Sequence, residues 1–346
     1  MTNNVENTKS DSQLRTPAES SKRSLAAKIR PALGPLVLLG IFVFFGVLYP
    51  DTFLTPTNIL TNILASVAFV GIVASAQTVV MVVGDFDLSV GGLAALATAA
   101  TGALLATTSL DGSMQSTSPV ILAILLGLLI GLAGGILNGY LVSYVGVLAF
   151  IATLGMASVF SSLAYLASDG KPVYGLVENN FVDIARGDFL GLSNKVWIML
   201  IFAGVIWFLL DQTPLGRRMY AVGGNAEAAR YSGINTRLMR LIAFAICGVG
   251  AAAAGILQSA STATANVTAT QPWMLQSIAA VFIGMAMFRG GKPNLPGTIL
   301  GVILLRTIEN GLNFTEINDF LQSAITGAVI VIAVIPAAIV RVRKNR

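Results

Sequence analysis

The residues best suited to chemistry lie in three places. The first is Gly84-Asp85-Phe86-Asp87-Leu88-Ser89-Val90-Gly91-Gly92, where two carboxylates stand at i, i+2 between glycines. Carboxylates so spaced can carry a proton or a cation, or accept backbone N–H groups at a helix start. Asp87 is placed to cap a following helix at Ser89 or Val90. The segment reads either as a turn with a good cap or as a discontinuous helix inside a membrane, where irregular backbone survives only beside protein or water. The second place is Arg306, Glu309 and Asn310, whose i, i+3 spacing lets the two charges meet on one helix face. The third is the polar run from Thr213 to Ile234, which holds Arg217, Arg218, Glu227 and Arg230 among glycines.

Other chemistries are excluded by count. The chain has no histidine, so His triads, His zinc sites and His proton relays are absent. Cys247 is the only cysteine, which rules out an intrachain disulfide or a Cys-Cys metal cage and reads as a small packing residue. No Gly-rich phosphate loop with Lys and Ser/Thr occurs, so the chain itself is expected to bind no nucleotide and no cofactor. An intramembrane enzyme would need a Ser/Lys or paired-Asp constellation deep in a span, and none is recognisable.

The elements that must hold these residues follow from composition. Of 346 residues 55% are hydrophobic and 11% are charged, and the mean hydropathy is +0.79. A soluble domain carries about 25% charged residues, so the fold class is an all-α polytopic membrane protein. Apolar runs of about 20 residues cross a bilayer. Candidate spans are 33–49, 58–83, 88–109, 119–142, 146–168, 196–211, 238–260, 273–288, 296–313 and 320–340. Residues 1–30 read as a disordered basic tail, 31–341 as a single transmembrane domain with a coupling segment at 213–236, and 342–346 as a second basic tail.

Basic residues set the orientation. Six lie in 1–30, five at Arg217, Arg218, Arg230, Arg237 and Arg240, two at Arg289 and Lys292, and four in 341–346. With both termini cytoplasmic, external segments keep only Lys171, Arg186 and Lys195. The net charge of +5 is therefore a topology signal and not a nucleic-acid footprint. External segments 110–118, 169–195 and 314–319 carry the remaining polar character, and 169–195 offers the longest outer docking surface.

Local patterns refine this layout. Gly127, Gly131, Gly135 and Gly139 repeat at i, i+4, which predicts a close helix–helix seam. Gly248–Gly255 reads the same way. Asn225 is a suitable N-cap, Glu227 and Arg230 suit the helix dipole, and Gly233 can take the left-handed C′ conformation. These predict a helix of about two turns over 225–233, too short to be stable without a partner surface. Asn138-Gly139 and Asn310-Gly311 fall in equivalent spans if spans 2–5 recur as 7–10, a hint of an inverted repeat.

At these residues the chain resembles a known family. GDFDLSVGG (84–92), TPLGRRMYAVGGNAEAARYSGI (213–234) and IAAVFIGMAMFRGGKPNLPGTILGVILLRTIENGLN (278–313) are similar to permease subunits of bacterial ribose/xylose/arabinose-type ABC sugar importers. The resemblance implies a type II-like importer permease in the bacterial inner membrane, working as a pair of permease chains. Its partners would be a cytoplasmic ABC ATPase carrying ATP and Mg and a periplasmic or extracellular sugar-binding protein. It also implies that Gly223, Gly224, Asn225, Glu227, Ala228, Ala229, Arg230 and Gly233 form the coupling helix against the ATPase. Two residues depart from the pattern: Asp85 stands where the family has Gly, and Arg306 where a small or apolar residue is expected. Neutral sugars need hydroxyl and amide partners, which Gln77, Asp87, Ser89, Asn138, Gln258, Gln276 and Asn310 are candidates to supply along a path. The competing expectation is an ion-coupled carrier using Asp85, Asp87, Arg306 and Glu309, which would have no need of a dedicated helix at 213–234.

Overall fold

Runs of Val, Ile, Leu and Ala long enough to satisfy their own backbone hydrogen bonds in lipid give this chain its architecture. The computed structural model describes residues 35–106, 120–176, 180–288 and 291–315, with short pieces between 317 and 331. In chain order these form α1 (Pro35–Leu48), α2 (Asn58–Val82, opening as a π-helix over Asn58–Ile63), α3 (Val90–Leu105) and α4 (Val120–Val145, closing as a π-helix over Leu141–Val145). Next come α5 (Ala149–Ala167), β1 (Val173–Tyr174), α6 (Asp183–Arg186), β2 (Asp188–Phe189), β3 (Leu192–Ser193) and α7 (Asn194–Gln212). The remainder is α8 (Pro214–Gly224), α9 (Ala226–Tyr231), α10 (Thr236–Thr262), β4 (Thr264–Ala265), α11 (Trp273–Met287) and α12 (Leu295–Leu312). Five of these helices, α2, α4, α5, α7 and α10, are long and apolar enough to cross a membrane.

The spans expected from 33 to 313 each coincide with a helix to within a few residues. The span at 320–340 falls mostly outside the described residues, as do the tails at 1–30 and 342–346 and the segment 110–118. The helix expected over 225–233 is α9, but the eleven-residue α8 before it was not anticipated.

α2 is the axis of the bundle. Its most apolar window is 83% buried, against 28% for α4 and 22% for α5. It packs on α7, α10, α11 and α12, while α4 and α5 turn rows such as Leu122, Leu125 and Leu129 or Phe150 and Leu154 outward. Outward apolar rows on a helix of this length suit lipid contact.

The glycines of α4 face α10. A Cβ on Gly131 would collide with Ala252 and the Gly248 backbone, one on Gly135 with the Phe244 carbonyl, and one on Gly139 would sit 2.9 Å from the Leu241 α-carbon. Gly127 faces Ile256 of α10 and Thr101 of α3. The two backbones can touch only because these side chains are missing. The second Asn-Gly pair behaves differently: Gly311 receives the Phe45 ring of α1.

The connections gather at two ends. At one end, β1 pairs antiparallel with β4 (Val173↔Ala265, Tyr174↔Thr264), and Arg186 Nε donates to the Ser261 carbonyl at 2.8 Å. At the other, the Tyr220 hydroxyl donates to the Pro293 carbonyl at 2.9 Å, and Arg237 stands over the Tyr144 ring at 5.8 Å. Segments expected on one side of a membrane therefore lie together.

Candidate functional site

Three constructions bring the chemically capable residues together. The first is the break between α2 and α3. The Asp87 side chain accepts from the Ser89 N–H (2.8 Å) and from its hydroxyl (2.7 Å), so the carboxylate serves the start of α3 as its position suggested. The amide of Gln77, oriented to satisfy both groups, donates to the Asp87 carbonyl (3.2 Å) and accepts from the Asp87 N–H (3.1 Å). Asn138 of α4 donates to the Ser89 hydroxyl at 2.7 Å, and Thr153 of α5 accepts from the Leu88 N–H at 3.1 Å. Gln77, Asp87, Ser89, Asn138 and Thr153 are each fully buried. The break is thus an interior feature, its backbone bonded by side chains of α2, α5 and Asp87 itself, with Asn138 of α4 holding the Ser89 hydroxyl.

Cys247 belongs to the same cluster. Its thiol lies against the Asp87 carboxylate and the Gln77 amide, so it does more than fill space. Spacing could not reveal this, because Cys247 is 170 residues from Gln77.

Asp85 points the other way and pairs with Arg240 at the start of α10, 3.1 Å away. Burial pushes its carboxyl above the ordinary range, and the Arg240 guanidinium opposes that shift. Asp85 thus has a charge partner in the same chain.

The second construction is the exposed helix α9. The Asn225 side chain accepts from the Ala228 N–H at 3.0 Å, Glu227 lies in the first turn and Arg230 in the last, and Gly233 has φ +81. Ala229 is buried, whereas Glu227, Ala228 and Arg230 are exposed and Tyr231 is 83% exposed. Tyr231 is the residue that sequence reasoning passed over. Its ring stands open beside the charges of Glu227 and Arg230 on this six-residue helix.

α9 is tied to the bundle through α8, which Thr213 caps by accepting from the Gly216 N–H at 3.3 Å, with Pro214 opening the helix. At the far end of α8, Gly223 presses on the Val82 carbonyl so closely that no Cβ fits. Gly224 has nothing within 4 Å of a would-be Cβ. α8 therefore touches the α2–α3 break through Gly223 and the α11–α12 connection through Tyr220.

The third construction is a polar ring on α11 and α12. Arg306 donates to Glu309 (2.5 Å) and to the Gln276 carbonyl oxygen (2.7 Å), and the Gln276 amide nitrogen donates to Glu309 (2.8 Å). One turn on, Asn310 and Asn58 of α2 exchange a reciprocal pair of bonds at 2.8 and 3.0 Å. Gln258 stands apart, half-buried on α10. The seven candidate path residues thus divide into the sealed break (Gln77, Asp87, Ser89, Asn138), the α11–α12 face (Gln276, Asn310) and Gln258 alone. No cluster of His, Cys, Asp and Glu able to hold a metal occurs among the described residues.

A many-helix bundle with lipid-facing apolar rows, a buried helix break and a short exposed helix at one end is a polytopic membrane permease. The chain belongs to the family described as the permease component of branched-chain amino acid transport systems, whose model matches residues 59–334. It is 38% identical over 304 residues to the ribose import permease protein RbsC of Bacillus subtilis (strain 168), covering 88% of this chain and 91% of that one. It is 36% identical over 303 residues to the ribose import permease protein RbsC of Escherichia coli (strain K12), covering 87% and 91%. To the D-allose transport system permease protein AlsC of the same strain it is 32% identical over 302 residues, covering 87% and 90%. Among solved structures, an inward-facing metal-chelate type ABC transporter aligns with a TM-score of 0.49 and 13% identity, covering 87% of this chain and 99% of that chain. The protein is a transport subunit and not an enzyme.

Proposed function

We propose that this chain is the membrane permease of an ATP-driven importer for a monosaccharide or a related polyol. The observation that carries the reading is α9, a capped, glycine-bounded helix that presents Glu227, Arg230 and Tyr231 outward. A helix of six residues has little stability of its own in water. Its fixed position and open face suit a protein partner, and relatives named as a ribose import permease and a D-allose transport system permease supply the class of solute.

In this reading two copies of the chain form a homodimer in the bacterial inner membrane with both termini cytoplasmic. A separate ATPase holding ATP and Mg receives Gly223, Gly224, Asn225, Glu227, Ala228, Ala229, Arg230 and Gly233 in a groove. A periplasmic or extracellular sugar-binding protein docks at the opposite end, where β1, β4 and α6 gather. When ATP closes the ATPases, α9 moves and α8 carries the displacement to the α2–α3 break and to Pro293. The sealed cluster of Gln77, Asp87, Ser89 and Asn138 keeps the break rigid enough to transmit that movement. Gln258, Gln276 and Asn310 are left as candidates to meet the hydroxyls of the solute.

The test is affinity purification from the native cell in mild detergent, followed by uptake of labelled D-ribose, D-allose and L-arabinose in liposomes. A stoichiometric P-loop ATPase and uptake that requires ATP are the expected results, with Glu227→Lys abolishing uptake. A chain that purifies alone and moves solute down an ion gradient, with Glu227→Lys still active, would make it an ion-coupled carrier.

A further inference from the structure

The outer faces of the bundle are of two kinds. On α7 the outward row Ile201, Val205 and Phe208 is wholly apolar, as on α4 and α5. On α12 the half-buried row runs Ile299, Ile303, Arg306 and Glu309, so a charged pair lies in line with apolar residues. Arg306 and Glu309 keep 16% and 21% of their side-chain surface open. Arg306 is six residues inside the end of α12 at Leu312, about 9 Å below it at 1.5 Å per residue. Open charged groups at that depth face water or protein and not lipid chains.

We propose that the α11–α12 face lines the water-filled path, and that Arg306, Glu309 and Gln276 form a subsite there for a vicinal diol. The proposal rests on the import reading and adds to it the residues that meet the solute. Glu309 neutralises Arg306, so the ring suits a neutral, hydroxyl-rich ligand and not an anion. Gln276 holds both charged groups in place, bonding one through its oxygen and the other through its nitrogen. A guanidinium carries five N–H donors in a planar fork, and the described residues engage two of them. The remaining donors and the carboxylate can give to one hydroxyl oxygen of a diol while accepting from the next.

The experiment uses the intact permease–ATPase complex. Cys247 is buried and is the only cysteine of this chain, so an introduced thiol reports alone once the labelled permease is separated from the ATPase. Ile303→Cys and Ile299→Cys on the proposed path are compared with Ile201→Cys on α7, using a charged methanethiosulfonate reagent. Thiolates form in water, so labelling at 303 or 299 is expected to be roughly tenfold faster or more than at 201. The second readout is the ratio of D-ribose to 2-deoxy-D-ribose uptake, with the binding protein and ATPase unchanged. A site built to bond a hydroxyl rejects the analogue lacking it, and Glu309→Gln is expected to narrow that ratio by roughly threefold or more. Equal, slow labelling at 303, 299 and 201 overturns the aqueous face. An unchanged ratio with merely slower uptake overturns the subsite and makes the ring a tie between α11 and α12. Loss of ATP-driven uptake in the unaltered complex would instead remove the import reading, while the labelling comparison still decides the face.

Discussion

Gly223 and Gly224 are adjacent in sequence and opposite in tolerance. A methyl group on Gly223 would enter the Val82 carbonyl, whereas one on Gly224 meets nothing within 4 Å. Overpacking a tight contact costs about 1–3 kcal/mol, and Ala for Gly inside a helix returns about 0.5–1 kcal/mol. Gly223→Ala is therefore expected to lower the unfolding midpoint and to cut uptake sharply. Gly224→Ala is expected to hold or raise the midpoint of the purified chain, so any uptake it loses is lost at the ATPase groove and not in the fold. Thermal unfolding of the purified protein and uptake at saturating ATP check both. The spacing of residues cannot separate these two glycines, because the difference lies in the carbonyl of a residue 141 positions earlier. What sequence did make legible at this scale were the roles set by near neighbours: Asp87 at the start of α3, Asn225 at the start of α9 and Arg306 beside Glu309.

α9 was readable because its cap, its charges and its closing glycine all sit within nine residues. α8 carries an equally sound opening, Thr213 followed by Pro214 at the first helical position. Its glycines at 216, 223 and 224 make it look like a loop, yet two of them are there for contact: Gly216 lies against the Leu209 and Leu210 carbonyls and Gly223 against Val82. Glycine enriched for packing imitates glycine enriched for turning. For α9 the cap is the vulnerable point. Asn225→Ala removes the acceptor for the Ala228 N–H, a loss of about 1 kcal/mol. Faster amide exchange at Ala228 is expected, with Asn225→Asp restoring protection. Equal exchange in Asn225→Ala and the unaltered chain would show that contacts of Ala229, and not the cap, hold the helix.

Across the whole molecule, the span positions follow from local hydropathy, but the polar clusters do not. Ser89 meets Asn138 across 49 residues, Asn58 meets Asn310 across 252, and Thr78 meets Thr298 across 220. Such pairings depend on which helix stands beside which, and hydropathy carries no record of that. The Asp85–Arg240 pair is of this kind and binds the break to α10. Asp85→Arg places two like charges together and is expected to lower the unfolding midpoint and uptake. The exchange Asp85→Arg with Arg240→Asp is expected to recover most of both. A double variant no better than the single one would show that the pair contributes nothing beyond its separate side chains.

One pattern in these bonds bears on how the chain is made. Ribosomes deliver α2 to the membrane before α10, α11 and α12 exist, although those helices later surround it. Gln77 does not have to wait, because its partner is the backbone of Asp87, ten residues downstream. The Thr78 hydroxyl donates to Ala74 within its own helix, and the Asn58 amide reaches the Phe53 carbonyl. Asn138 arrives after Ser89 is already in place, and Arg306 and Glu309 enter together. Gln276, near the outer edge of α11, waits for the helix that follows it. Most polar groups in this bundle can thus enter the bilayer with a partner already at hand, so long-range contacts need only refine a chain that was tolerable to lipid at each stage of its synthesis.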